Sequence, residues 1–171
     1  MQCPPFNRSD DGGRTWRVGF VDRNDQDVIN ANETTVTELE DGRLYFNARN
    51  HRGSGSARVH AWSTDGGETL EAPYEEIAEI TAPGIQGSVV RCGDRLLLTT
   101  PTDPERRRTL AVLVSEDAGA TWRPGTVLHH GMAGYSDLVA LPDGRVGLFY
   151  EAGEESSFAA LRFQTFDPAT V

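Results

Sequence analysis

Short runs in which polar and apolar residues alternate recur along this chain, and they come in groups. Thr34-Thr35-Val36-Thr37-Glu38-Leu39 alternates, Asp41-Gly42 marks a tight hairpin, and Arg43 to Ala48 returns as a second strand. Ala57 to Ser63 alternates again, and a weaker fourth segment lies around Glu75 to Ile80. The pattern predicts a four-stranded meander. It repeats as Gln86 to Arg91, a Gly93-Asp94 turn, Arg95 to Thr100 and Thr109 to Ser115. A further unit starts with Tyr135 to Leu141, turns at Asp143-Gly144, and continues as Arg145 to Tyr150 and Phe158 to Phe166, with no fourth strand after it. Near the beginning, Arg17 to Arg23 reads as a short outgoing strand and Asn24 to Asp27 as a polar loop.

A punctuating motif accompanies these groups. Ser115-Glu116-Asp117-Ala118-Gly119-Ala120-Thr121-Trp122 spells S-x-D-x-G-x-T-W, and Ser9, Asp11, Gly13, Thr15 and Trp16 repeat it. A variant runs through Ser63, Asp65, Gly67 and Thr69, with Leu70 at the tryptophan position. The boxes start at residues 9, 63 and 115, intervals of 54 and 52, and the arginine after each turn falls at 43, 95 and 145, intervals of 52 and 50. Two independent markers thus give a period at which propeller blades repeat. Each box reads as a turn in which the aspartate accepts backbone N–H bonds, the glycine takes a positive φ, the hydroxyls bond locally and the tryptophan covers the hairpin. The chain holds about three four-stranded units, whereas a closed propeller has roughly four to eight. It is therefore a part of such a ring, or half of something that closes by association through its open edges.

Composition narrows the partners. Eighteen glycines and nine prolines favour strands and turns over helices. A net charge of −10 repels phosphate backbones, and there is no basic patch interleaved with aromatics, so nucleic acid is not an expected partner. No apolar window is long enough to span a bilayer, and Met1 to Arg8 lack the regions of a signal peptide. Cys3 and Cys92 are read as separate thiols. His51, His60, His129 and His130 show no metal-ligand spacing, and neither metal nor cofactor is expected.

The meander sorts residues by face. The Asp-Gly turns and the boxes share one face; the start of strand one, the end of strand two and the start of strand three lie on the other. Reading off those positions gives Glu33 and Tyr135, each ten residues before its turn arginine, with Arg49 after a second strand and Arg107 before a third. Two guanidinia on one face suit a ligand carboxylate or phosphate. A carboxylate beside a phenol can accept its proton and make it a nucleophile.

Gly134-Tyr135-Ser136-Asp137-Leu138, continuing through Leu141-Pro142-Asp143-Gly144-Arg145 to Tyr150-Glu151, resembles the nucleophile segment of the exo-α-sialidases, or neuraminidases. Asn32-Glu33-Thr34 with Glu38-Leu39, Asp41-Gly42 and Asn47-Ala48-Arg49 is similar to the segment carrying that family's glutamate and second arginine. Pro83 to Val89 resembles a further signature, and Arg107 matches the third arginine; among Arg106, Arg107 and Arg108, spacing favours Arg107. The resemblance covers nearly the whole chain.

It implies an all-β fold, a partial six-bladed β-propeller, with residues 1–171 forming the C-terminal half of the domain. It implies a sialylated glycoconjugate substrate, Tyr135 as nucleophile, Glu33 as the base that activates it, and Arg49 and Arg107 clamping the substrate carboxylate. A tyrosine nucleophile is the sialidases' recognised departure from the usual pair of carboxylates. A neutral phenol also suits a sugar bearing a carboxylate on its anomeric carbon, which would repel an anionic nucleophile. The family's first arginine and its acid/base aspartate belong to an N-terminal half outside these residues, so the chain by itself is expected to be inactive. Glu151 repeats the place of Arg49 in a later unit, a position open to the rim of the pocket, and is not counted among the site residues. Two rival readings use the same scaffold: a non-catalytic propeller module that binds glycans or proteins, and a hydrolase of similar fold acting on another acidic sugar.

Overall fold

The computed structural model describes residues 5–22, 29–51 and 57–171. It is all-β, and every strand pairing is antiparallel. A two-stranded ribbon of β1 (Asn7–Arg8) and β2 (Arg17–Val18) flanks the first box. A four-stranded sheet follows in chain order: β3 (Ala31–Glu38), β4 (Leu44–Asn50), β5 (Arg58–Ser63) and β6 (Glu75–Glu76). The remainder is one six-stranded meander of β7 (Ser88–Cys92), β8 (Arg95–Pro101), β9 (Arg108–Ser115), β10 (Arg123–Ala140), β11 (Val146–Gly153) and β12 (Ala160–Phe166), followed by a short 3₁₀ turn at Pro168–Thr170.

The second and third expected groups are therefore fused. Strand β10 runs 18 residues, its first part pairing with β9 and its second with β11. Pro124, Gly125, Gly131 and Gly134 suggest a break in this stretch, but irregular register on the β9 side absorbs the first three and a further shift on the β11 side takes in Gly134. Tyr135, expected at the start of a strand, lies well inside one. Two other expectations shorten: β6 covers only Glu75–Glu76, and of the strand expected over residues 17–23 only Arg17–Val18 forms, with Arg23 and the Asn24 to Asp27 loop outside the described residues. Cys3 also lies outside them; Cys92 is a half-buried free thiol.

Three apolar layers fill the spaces between sheets, and single strands serve two layers at once. Leu96 and Leu98 join Leu39, Tyr45, Ile77 and Trp122 in the layer facing β3–β6. Leu97, between them, points the other way and packs with Leu110, Leu138, Val146 and Leu148. Tyr45 and Phe46 divide in the same manner, Phe46 packing with Val59, Tyr74, Phe6 and Phe20. Side chains of a strand alternate faces, so a continuous apolar run marks a sheet covered on both sides. The antiparallel meanders are thus stacked and doubly covered, but as one four-stranded and one six-stranded sheet in place of about three four-stranded units.

All three boxes form the expected turn. In the last, Asp117 accepts from Ser115 Oγ (2.8 Å), Thr121 N (2.9 Å) and Thr121 Oγ1 (2.6 Å), while Gly119 adopts φ 91°. Trp122 does more than cover its hairpin: it is buried against Tyr45 of the neighbouring sheet, whereas Trp16 of the first box is 65% exposed.

Candidate active site

Glu33, Arg49 and Tyr135 are drawn together from three strands, and each strand is distorted or near its end where it supplies its residue. The β3–β4 register shifts between Asn32 and Thr35, and Glu33 within that irregularity has φ 47°, a left-handed conformation costly for a residue with a side chain. The β10–β11 register shifts between Ala133 and Ser136, which brackets Tyr135. Arg49 stands one residue from the end of β4. Arg107 directly precedes β9, and Thr109 beyond it is again left-handed, at φ 62°.

The side chains meet as the face argument requires. The Tyr135 hydroxyl donates to Glu33 Oε1. Arg49 Nη1 donates to the other carboxylate oxygen, Glu33 Oε2, at 3.0 Å. The Arg107 guanidinium lies 5.8 Å from the centre of the Tyr135 ring and 5.8 Å from that of Phe158, between two aromatic faces. Arg106 and Arg108 on either side are exposed, while Arg107 is half-buried. Among the described residues no carboxylate forms an ion pair with Arg107, and Arg49 Nε is buried without a hydrogen-bond partner.

Charge and burial set the protonation states. Burial raises the Glu33 carboxyl, but the Tyr135 phenol and the Arg49 and Arg107 cations outweigh it and hold it below its ordinary value. Tyr135 is raised, first by its bond to the Glu33 carboxylate and then by burial, against the opposing pull of the two arginines. The resting pair is thus a neutral phenol donating to a carboxylate. Beside it a cavity of about 420 Å³ opens, lined by Thr34, Gln86, Asp137, Phe149, Glu151 and Leu161 among others.

The surroundings include residues that sequence reasoning left without a role. Arg58, opposite Arg49 in the β4–β5 register, is fully buried; its Nε donates to Asn47 Oδ1 at 2.9 Å and its Nη1 to the Ile85 carbonyl at 2.9 Å. Burial pushes its guanidinium down to about 10. Glu151 accepts the Tyr135 N–H at 3.0 Å, and a side chain at Gly134 would strike that carboxylate at 2.1 Å. Only the repeat of Arg49's place pointed to Glu151. Gln86 and Ser88 bond to residues 136–138 of β10. Among the described residues no cluster of three or more His, Cys, Asp or Glu is placed to hold a metal ion, and no helix is long and apolar enough to cross a membrane.

With this geometry in place, comparison with known proteins assigns the family. A family profile described as a BNR repeat-like domain matches residues 4–148, and the chain belongs to that family. It is 34% identical to a sialidase of Micromonospora viridifaciens over 161 residues, covering 88% of this chain and 24% of that protein. It is 31% identical to Sialidase-2 of Cricetulus griseus over 175 residues, covering 91% of this chain and 44% of that one. The fold matches the intramolecular trans-sialidase of Ruminococcus gnavus, solved in complex with oseltamivir carboxylate, with a TM-score of 0.74 and 26% identity over 96% of this chain and 38% of that one. The NanB sialidase of Streptococcus pneumoniae matches in fold with a TM-score of 0.79 at 21% identity, covering 98% of this chain and 28% of that one. The chain thus has a β-propeller-like fold and sialidase homologues, and it spans less than half the length of these relatives.

Proposed function

We propose that residues 1–171 carry the nucleophile side of an exo-α-sialidase site, the C-terminal half of a six-bladed propeller domain whose substrate is a sialylated glycoconjugate. The observation that carries this reading is the conjunction of a phenol hydrogen-bonded to a carboxylate with two guanidinia, one of them free of any carboxylate among the described residues. Such a site binds an anion beside a nucleophile.

In this proposal Arg49 and Arg107 hold the carboxylate of sialic acid and place its anomeric carbon against the Tyr135 oxygen. As the oxygen–carbon bond forms, the phenol proton passes to Glu33, already its hydrogen-bond acceptor, and the arginines offset the charge that builds on the tyrosine. The bond to the leaving sugar breaks as its oxygen takes up a proton. That acid, and a third guanidinium, are supplied from outside this stretch. A missing general acid costs on the order of 10²–10⁴ in rate.

Calorimetric titration of the chain with sialic acid and with neutral sugars tests the clamp. Sialic acid binds selectively, and Arg49→Ala and Arg107→Ala each weaken it about tenfold or more, as loss of a charge-assisted bond requires. Equal binding of neutral sugars, or full affinity in both variants, favours the non-catalytic module. Hydrolysis of a fluorogenic sialoside by the chain alone, lost in Tyr135→Phe, overturns the assignment of the acid to another segment.

A further inference from the structure

Strand β10 changes neighbours in its middle. Its pairing with β9 ends at Met132, opposite Arg108, and from Ser136 onward its regular partner is β11 alone. The Ala133 N–H still reaches the Arg107 carbonyl at 2.9 Å, but beyond it the opposite edge of β10, which carries the backbone groups of Ser136 and Leu138, has no strand paired to it among the described residues. Buried backbone groups without partners are costly, so that edge must be closed by other means.

Side chains close it. The Gln86 carboxamide accepts the Ser136 N–H at Oε1 (3.0 Å) and donates from Nε2 to the Ser136 carbonyl (3.0 Å). One amide group thus makes the paired donor and acceptor bonds that a residue of an antiparallel strand would make. Two residues on, Ser88 Oγ accepts the Leu138 N–H at 3.0 Å and donates to Asp137 Oδ1 at 2.9 Å. Gln86 and Ser88 are two apart, as are Ser136 and Leu138, so the contacts repeat at the period of a strand ladder. The Thr99 hydroxyl lies 3.0 Å from that of Ser136, and Gly87, between the two clasping residues, has no room for a Cβ because the Thr99 carbonyl would lie 2.6 Å from it.

We propose that Gln86 is a positioning residue for Tyr135: its carboxamide, extended by Ser88, stands in for the missing strand and fixes the depth of β10 at which the Tyr135 hydroxyl reaches Glu33. The stretch from 133 to 136 is where the ladder to β11 is irregular, and the bond from the Ala133 N–H to the Arg107 carbonyl restrains only its start. The Tyr135 N–H is taken by Glu151 and both peptide groups of Ser136 by Gln86. A bond between residues 102 apart in sequence depends on such restraint. The consequence for chemistry rests on Tyr135 being the reacting group, but the restraint itself does not.

The test reads the phenol directly in the 171-residue chain. Tyrosine carrying ¹³C at Cζ is titrated by NMR, with the Tyr135 signal among the four tyrosines assigned by its loss in Tyr135→Phe. Gln86→Ala moves the Tyr135 midpoint down by about half a pH unit or more, because a loosened phenol loses the carboxylate that opposes its ionisation. Ser88→Ala, which removes the bonds to Leu138 and Asp137 and leaves those to Ser136, moves the midpoint down less. Asp143→Ala, on the distant turn face, lowers thermal stability and leaves the midpoint unchanged. An unmoved midpoint in Gln86→Ala, or the same movement in Asp143→Ala, overturns the proposal. If Gln86→Ala does not fold, Ser88→Ala decides it by the same measurement, a downward movement supporting the proposal and an unmoved midpoint overturning it. Retained sialic-acid affinity in Arg49→Ala and Arg107→Ala would remove the sialidase reading and leave this result standing.

Discussion

Tyr135 is held between opposing influences, and their signs can be separated by substitution. The Glu33 carboxylate and burial raise its pKa; Arg49 and Arg107 lower it. Glu33→Gln therefore moves the Tyr135 titration down, and Arg107→Ala moves it further up, both followed by the change in tyrosine absorbance with pH. Movement in the same direction for both would mean that the phenol does not sense these charges. The same shifts fix how the pair contributes to stability. Glu33 titrates lower folded than unfolded, so its contribution is present above its ordinary value near 4.5 and is lost as pH falls through the folded one. Tyr135 titrates higher when folded, so its contribution is present below about 10 and is lost as pH rises through the folded value. Between those limits the phenol stays neutral beside an ionised carboxylate, the state in which proton transfer between them is poised.

At the scale of elements, the three boxes share a sequence but not a setting, and their contributions to stability should differ accordingly. Asp117→Ala removes the acceptor for the Ser115 hydroxyl and for both donors of Thr121 in a turn whose Gly119 abuts Tyr45 and whose Trp122 is buried. Urea denaturation should show a loss of about 1–3 kcal/mol. Asp11→Ala, in the exposed first box, should cost much less, although its hydrogen bonds hold that carboxyl down to about 2. Equal costs would mean that the box contributes through its own hydrogen bonds and not through packing between sheets. This difference between settings was not readable from the motif, which specifies the turn and not its neighbours. The turns, the period and the alternating strands were readable, because Asp-Gly pairs and period-two patterning act locally. So was the face carrying Glu33, Arg49, Arg107 and Tyr135, which follows from meander geometry. The irregular registers at Asn32/Thr35 and Ala133/Ser136 were not readable, since a bulge is set by the partner strand. Nor was the continuity of β10 through Pro124 and Gly125, where long-range pairing overrides local breakers. Gln86 was visible only as part of a signature: its role depends on a strand 50 residues away.

At the scale of the whole molecule, the end formed by β10, β11 and β12 presents an open apolar surface. The six-stranded meander is covered by β3–β6 on one side and folds onto itself on another, but Val139, Phe149, Leu161 and Phe163 are 51%, 46%, 65% and 60% exposed. Phe149 and Phe163 are register partners, and Val139 lies opposite Gly147, next to Phe149. These side chains lie at neighbouring positions of one face, and among the described residues β12 is an edge strand paired only with β11. Apolar patches beyond a few hundred Å² are uncommon on monomers, and open edges pair with other chains. The net charge of −10 opposes such contact between identical copies at long range. Salt screens that repulsion, with a Debye length of about 10 Å at 0.1 M, and leaves apolar attraction intact. The 171-residue chain should therefore self-associate more strongly as salt rises, and Phe149→Ser with Phe163→Glu should restore a monomer at all salt concentrations. Sedimentation velocity across a salt series checks both statements. Association that weakens with salt would point to paired charges, and association unchanged in the double variant would place the contact on another surface, such as the groove lined by Phe6, Phe20, Phe46 and Tyr74.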